Sequence, residues 1–208
     1  MDKRVDFEKS YYYGFAKLTN VSLDDFMTYY DEAKYGGYPE EPAGSVWESE
    51  GKSIYVLIRI LKPKKILEIG NFKGRSSNHI LQAVDVNGFG EVTLIDINEY
   101  LEYDKLHSKN FTRIIKDSLI LLSEPFEFDL IIQDGDHTYG HVKREIELIL
   151  QYNMLNKYHI WAHDYYVRHK PDICQVWRAW DEMKHNFTTF QPFIDSISDC
   201  GCSIARKK

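Results

Sequence analysis

From Lys65 to Ala162 short apolar runs alternate with stretches of helical spacing, and this alternation restricts the chain to a mostly parallel α/β sheet. The apolar runs fall at Ile66–Ile69, Val92–Ile95, Thr112–Ile115, Phe128–Ile132 and His159–Ala162. Helical spacing fills the gaps at Ser76–Val84, Glu99–Lys109, Ser118–Leu122 and Val142–Tyr152. Parallel neighbours joined through helices need right-handed crossovers, which cover both faces of the sheet. After a last helix, roughly Ile173 to His185, come two more strand candidates, Thr188–Ile194 and Cys202–Ala205. The turn formers Asp195 to Asp199 between them predict an antiparallel hairpin. The expected architecture is a Rossmann-like, doubly wound α/β sheet of seven strands. It is mostly parallel, with an antiparallel last strand.

Upstream, Ser22 and Asp25 form a capping-box-like start for a helix through Lys34. A Gly/Pro loop (Tyr35 to Gly44) follows, then Glu48–Leu61 with apolar residues at Ile54, Leu57, Ile58 and Leu61. Residues 1–62 thus read as a helical N-terminal cap or lid on a core of 63–208, within one domain spanning 1–208. The N-terminus lacks a signal peptide's apolar stretch, and no run is long enough to span a bilayer. Cys174, Cys200 and Cys202 read as buried thiols rather than a disulfide or metal clip, and together these features indicate a cytoplasmic protein. A net charge of −6 argues against nucleic acid as partner. The basic clusters Lys62–Lys65 and Arg206–Lys208 read as solvated surface.

The most informative segment is Lys65-Ile-Leu-Glu-Ile-Gly-Asn-Phe-Lys-Gly-Arg-Ser-Ser77, a buried strand running through a glycine turn into a helix. Gly70 and Gly74 let the backbone turn tightly and approach a ligand, and the helix start near Ser76 offers N–H groups to an anion such as a carboxylate. The Gly-x-x-x-Gly spacing is not that of a dinucleotide site. The next strand ends at Asp96, placed to accept from ribose hydroxyls or to cap a helix, and Asp117-Ser118 repeats the placement one strand later. Three strand tips in a row suit one elongated nucleoside ligand.

The set Glu68-Ile-Gly-x-x-x-Gly74, Asp96, Asp117 and Asp134-Gly-Asp-His137 resembles class I S-adenosylmethionine-dependent methyltransferases. Phe128-Asp-Leu-Ile-Ile-Gln-Asp-Gly-Asp-His-Thr-Tyr139 and Trp161-Ala-His-Asp-Tyr165 resemble one branch of them. That branch holds small O-methyltransferases related to macrocin O-methyltransferase, together with cephalosporin hydroxylase-like proteins. The likeness covers about residues 46 to 206. It implies that Gly70 and Gly74 lie along the methionine portion of S-adenosyl-L-methionine, that Asp96 holds the ribose, and that Asp117 and Ser118 border the adenine. Glu68, Asn71, Ser76, Ile97 and Asp134 complete the expected cofactor contacts. The family's first motif often carries a third glycine where this chain has Phe72.

Neighbouring strand tips in this fold face one cleft, so Asp134, Asp136, His163 and Asp164 are expected to converge. Carboxylates crowded together repel, and a hard divalent ion relieves the repulsion. In the resembling enzymes the matching positions bind a metal, which implies Asp134, His163 and Asp164 as ligands for Mg²⁺ or Mn²⁺; the histidine also suits Zn²⁺. Asp136 and His137 are the candidate general bases, and without a metal the acids would need a cation such as Lys143 or Arg144. His137 and His141 have the spacing of a helical zinc pair, but Gly140 weakens a helix there.

These readings converge on an S-adenosylmethionine-dependent O-methyltransferase acting on a hydroxyl of a sugar, phenol or similar small molecule. A metal-dependent hydroxylase-like or other non-methyltransferase enzyme, or a non-catalytic S-adenosylmethionine-binding protein, are the alternatives. Tyr11–Tyr13, Tyr35, Tyr38, Trp47, Tyr165 and Tyr166 suit an acceptor pocket, a lid or a dimer contact, and a homodimer is expected.

Overall fold

The structure is a computed structural model that describes residues 12–34, 45–193 and 200–207. The Gly/Pro loop, Tyr11, Tyr35, Tyr38, the 195–199 turn and Lys208 lie outside the described residues. Helix α1 covers 12–19, followed by α2 (Leu23–Glu32) and α3 (Glu48–Leu61). The core runs β1 (Lys65–Ile69), α4 (Arg75–Asn87), β2 (Glu91–Asp96), β3 (Thr112–Ile115), α5 (Ser118–Leu122), β4 (Leu130–Gln133), α6 (Tyr139–Tyr152), β5 (Tyr158–His163), α7 (Val176–Met183), β6 (Thr189–Phe193) and β7 (Cys202–Lys207). The seven strands are ordered β3-β2-β1-β4-β5-β7-β6. The first five are parallel, and β7 runs antiparallel to both β5 and β6, as expected.

Local chemistry fixes the element ends. Ser22 accepts from Asp25 N at 3.1 Å and starts α2. In α3 the Glu50 carboxylate reaches back to Trp47 N at 2.9 Å, and Lys62 ends the helix in the left-handed region. Asp129 immediately precedes β4, and its side chain accepts from Lys64 N and Lys65 N, stapling β4 to the start of β1. The expected helix over Glu99–Lys109 is absent; only a 3-10 turn forms at Tyr103–Lys105. There Glu102 N donates to Lys73 O, Lys105 O accepts from Asn78 Nδ2, and His107 N donates to Asn78 Oδ1, so other elements satisfy the backbone groups a helix would have paired. The last helix is shorter than predicted, and Ile173 lies before it, 70% exposed.

Apolar side chains form a cluster on each face of the sheet. One joins α1, α2, α3 and α4 to Ile66, Leu94, Leu130 and Trp161. The other joins α6 and α7 to Leu67, Ile95, Ile131 and Ile160. The cap helices therefore share the core of the sheet instead of resting on its surface. Close packing of α3 on α4 depends on Gly51, where a Cβ would lie 2.3 Å from the His79 ring. The three cysteines are free, with Cys174 and Cys202 buried and Cys200 half-buried. Among the described residues no helix is long and apolar enough to cross a membrane.

His159 on β5 is buried and pairs in register with Arg206 on β7. Burial, reinforced by Arg206 and Lys157, depresses its pKa to about 4. Between pH 6.5 and 4 the unfolded chain binds a proton that the folded chain refuses, so stability falls as pH drops through that window. At ~1.4 kcal/mol per pKa unit, on the order of 3 kcal/mol is lost there. Urea titrations of the native protein and His159→Gln at pH 7 and pH 4.5 check this. The variant is expected to lose clearly less stability on acidification, and equal losses would discount His159 as the cause.

Candidate active site

The carboxyl ends of β1, β2, β3 and β4 open into a cleft of about 320 Å³. Gly70, Asn71, Ser76, Asp96, Ile97, Asp117, Ser118, Asp134, Asp136 and His137 line it, all of them singled out in the sequence. Glu68 and Gly74 do not line it. Glu68 is fully buried beneath, with Ser77 Oγ donating to one oxygen, and Gly74 caps α4 at φ 97°. Ser45, Val46, Arg75, Tyr100, Lys116 and His141 are wall residues that the motif pattern did not mark.

The floor is set by how closely β1 passes β4. Gly70 (φ 80°) donates its N–H to Ile95 O, and a Cβ there would sit 2.1 Å from the carbonyl oxygen of Asp134. Phe72 replaces the expected third glycine yet keeps a left-handed backbone, φ 42°, which a bulky side chain adopts only at a cost. Its N–H is held by Asp96 Oδ2 at 2.9 Å, and its ring meets Tyr100 edge-on at 5.4 Å. Asp96 therefore braces the glycine loop, and through Oδ1 it also accepts from Asn98 N at 3.1 Å. Asp117 caps α5 through Leu119 N, so its capping and cleft-lining roles coexist.

Among the described residues, two buried acceptors beside the cleft find no hydrogen-bond partner, Glu68 Oε1 and Asn71 Oδ1. Burial raises the Glu68 pKa to about 7 against hydrogen bonds from Ser76 and Ser77, with Asp134 and Asp96 adding repulsion. An unpaired acceptor in such a place is costly, and an ammonium-bearing ligand would relieve it. At the opposite end Ser118 Oγ donates to buried Glu145 and meets His141 Nε2 at 3.0 Å, while Gln133 Nε2 donates to the other Glu145 oxygen at 2.7 Å. Glu145 holds the pKa of His141 above its ordinary value.

Beyond the glycine turn the predicted acidic cluster does converge. His163 Nδ1 lies 3.1 Å from Asp134 Oδ1 and 3.4 Å from Asp164 Oδ1. His137 Nε2 lies 3.0 Å from Asp164 Oδ2 and 3.5 Å from Asp134 Oδ1. Asp164 adopts φ 59°, a left-handed turn directly after β5, at the point where it meets both imidazoles. Burial opposes a charge on His163, but Glu50, Asp134 and Asp164 outweigh it and raise its pKa well above the usual range. His137 is raised in the same way by Asp134 and Asp164. Burial disfavours the Asp164 carboxylate, yet His163 and His137 hold its pKa far below normal. Asp136 turns aside, its Oδ1 accepting from Thr138 N at 2.7 Å at the start of α6. Lys143 pairs with Glu182 and Arg144 with Glu147, so neither is the cation of this cluster. His137 and His141 form no pair, since α6 starts at Tyr139 and His141 faces Ser118 and Glu145.

The cluster fits a divalent ion. One ligand atom each from Asp134, His137 and Asp164 lies within 4.8 Å of the others, and His163 Nδ1 adds a nitrogen beside both acids. The two carboxylates suit Mg²⁺ or Mn²⁺, and the imidazole nitrogens shift the set toward Mn²⁺ or Zn²⁺.

Strand order, glycine turn and acidic strand tips define a class I, Rossmann-like methyltransferase fold. Residues 67–165 match a family model described as a methyltransferase domain. Over that stretch the chain is similar to methyltransferases. Solved structures with this fold include the O-methyltransferase TomG of Streptomyces achromogenes, involved in tomaymycin synthesis and complexed with S-adenosylmethionine (18% identity, TM-score 0.62, covering 100% of this chain and 99% of that one). An O-methyltransferase from Bacillus cereus in complex with S-adenosylhomocysteine follows (20%, 0.60, covering 89% and 90%). The S-adenosylhomocysteine-bound methyltransferase PaMTH1 of Podospora anserina is also similar (18%, 0.58, covering 89% and 88%). No curated protein matches the chain by sequence.

Proposed function

We propose that the chain transfers the methyl group of S-adenosyl-L-methionine to a hydroxyl of a small molecule such as a sugar or phenol, with a divalent ion at the Asp134 cluster. The convergence of Asp134, Asp164 and two histidines at one end of the cleft carries this reading. An ion held there would supply Lewis-acid polarisation and orientation of the acceptor. Glu68 and Asn71 supply acceptors for the methionine end of the cofactor, Asp96 for the ribose, and Ile97 an apolar edge. With the ion held by Asp134, Asp164 and His163, the half-exposed His137, backed by two carboxylates that stabilise its imidazolium, is left to take the acceptor's proton. Methyl transfer needs little beyond this alignment and the exclusion of water.

Isothermal calorimetry with S-adenosylhomocysteine tests the cofactor half. Asp96→Ala is expected to weaken binding by roughly 1–3 kcal/mol, the scale for leaving polar partners unpaired. No binding by the native protein would end this reading. An assay with labelled cofactor and a panel of hydroxylated acceptors, with and without Mg²⁺ or Mn²⁺, tests the catalytic half and separates it from the hydroxylase-like and non-catalytic alternatives.

A further inference from the structure

We infer that Glu50, a residue of the cap helix α3, positions the metal site by fixing which nitrogen of His163 faces the catalytic carboxylates. The inference rests on the metal-assisted reading above and adds to it a residue that lies outside the strand-tip motifs. Glu50 is fully buried, and its Oε2 lies 2.8 Å from His163 Nε2, a partner 113 positions along the chain. A carboxylate only accepts, so Nε2 carries the hydrogen and donates it to Glu50. The other nitrogen, Nδ1, is the one that meets Asp134 Oδ1 and Asp164 Oδ1. Without an ion Nδ1 likewise donates to these carboxylates; an ion between the two acids would replace that Nδ1 proton, while Nε2–H stays on Glu50. Imidazole ligands commonly have the second nitrogen held by an outer carboxylate in this way.

The ring cannot easily reverse the arrangement. His163 stacks on Trp161 at 5.8 Å and 11° between planes, and across the sheet it sits in register with Cys202. Glu50 is anchored as well, since the same Oε2 accepts from Trp47 N at the start of α3. Ser45 and Val46, just ahead of α3, border the cleft, and α3 itself reaches the far side of the site through Glu50.

The test is a Mn²⁺ titration of the full-length protein, native and Glu50→Gln, by calorimetry and by electron paramagnetic resonance. Glutamine can still accept from Trp47 N, so it keeps the helix cap and removes the charge behind His163. Mn²⁺ affinity is expected to drop about 10–100-fold. S-adenosylhomocysteine affinity should stay within about twofold, and the melting temperature without metal within a few degrees. Unchanged Mn²⁺ affinity in Glu50→Gln would overturn the role. A purely structural role predicts a lowered melting temperature and weaker cofactor binding together, and that pattern would overturn it too. A second measurement needs no variant. Nitrogen-15 NMR of histidine-labelled native protein with Mg²⁺ should show His163 protonated at Nε2 and bare at Nδ1, and the reverse tautomer rejects the proposal. If the native protein binds S-adenosylhomocysteine but not Mn²⁺, the metal reading itself falls, and this inference falls with it.

Discussion

Gly70→Ala is expected to lower the melting temperature by roughly 6–12 °C and to abolish measurable binding of S-adenosylhomocysteine. The added methyl would stand 2.1 Å from Asp134 O and 2.5 Å from its carbonyl carbon, both backbone atoms, so no side chain can swing away to make room. The residue would also have to hold φ 80°, outside the ordinary range of alanine. Overpacking and left-handed strain together cost about 3 kcal/mol, which gives the stated shift for a domain of this size. Relief can come only by parting β1 from β4, and their tips form the floor of the cleft. Gly140→Ala is the control: nothing lies within 4 Å of its Cβ position, and as a residue within α6 it should gain up to about 1 kcal/mol. Calorimetric scans of both variants read the contrast, and a Gly70→Ala protein that melts and binds like the native one would refute the tight crossing.

Asp134→Asn should reduce methyl transfer by at least about 10²-fold while leaving cofactor affinity within a few-fold. Asp134, like Asp164, is approached by both imidazoles, so removing its charge disturbs His163, His137 and the proposed ion together. The glycine turn and Asp96, the proposed cofactor contacts, are untouched. Chelator should produce the same loss in the native enzyme, and added Mg²⁺ or Mn²⁺ should restore it. His137→Gln should slow transfer about 10²–10⁴-fold if it removes the acceptor's proton. Asp136→Asn should cost much less, because its carboxylate is engaged with Thr138 N and held below its usual pKa by that contact against the effect of burial. Full activity in chelator would dismiss the ion, and a larger loss from Asp136→Asn than from His137→Gln would reverse the two roles.

Residues at strand tips were legible in the sequence because the fold sends the end of each parallel strand to the same edge. Gly70 and Asp96 follow an apolar run directly, and Asp117 and Asp134 follow one after a single residue, so finding the run locates the residue. Glu50 follows no such rule. Its one signal is that it sits four residues before Ile54, on the apolar face of α3, where a charge needs a buried partner. That partner, His163, is fixed only by tertiary packing. Glu145 was hidden in the same way, one turn after His141 on α6, and it is recognisable only once Ser118 and Gln133 are seen around it. The failed helix at 99–109 shows the converse. Its periodicity was real, and Leu101 and Leu106 are both buried, but side-chain and loop partners outside the segment captured its backbone groups.

The position of β7 between β5 and β6 carries a liability during assembly. Tyr158–His163 is buried along its whole length, yet one edge of that strand stays unpaired until residues 202–207 slot in beside it. A chain that has laid down its parallel strands but not yet closed the hairpin presents an open, apolar edge to its neighbours, the kind of surface on which intermolecular pairing begins. Nicking or mutation near the hairpin is therefore a route to aggregation before it is a route to lost activity.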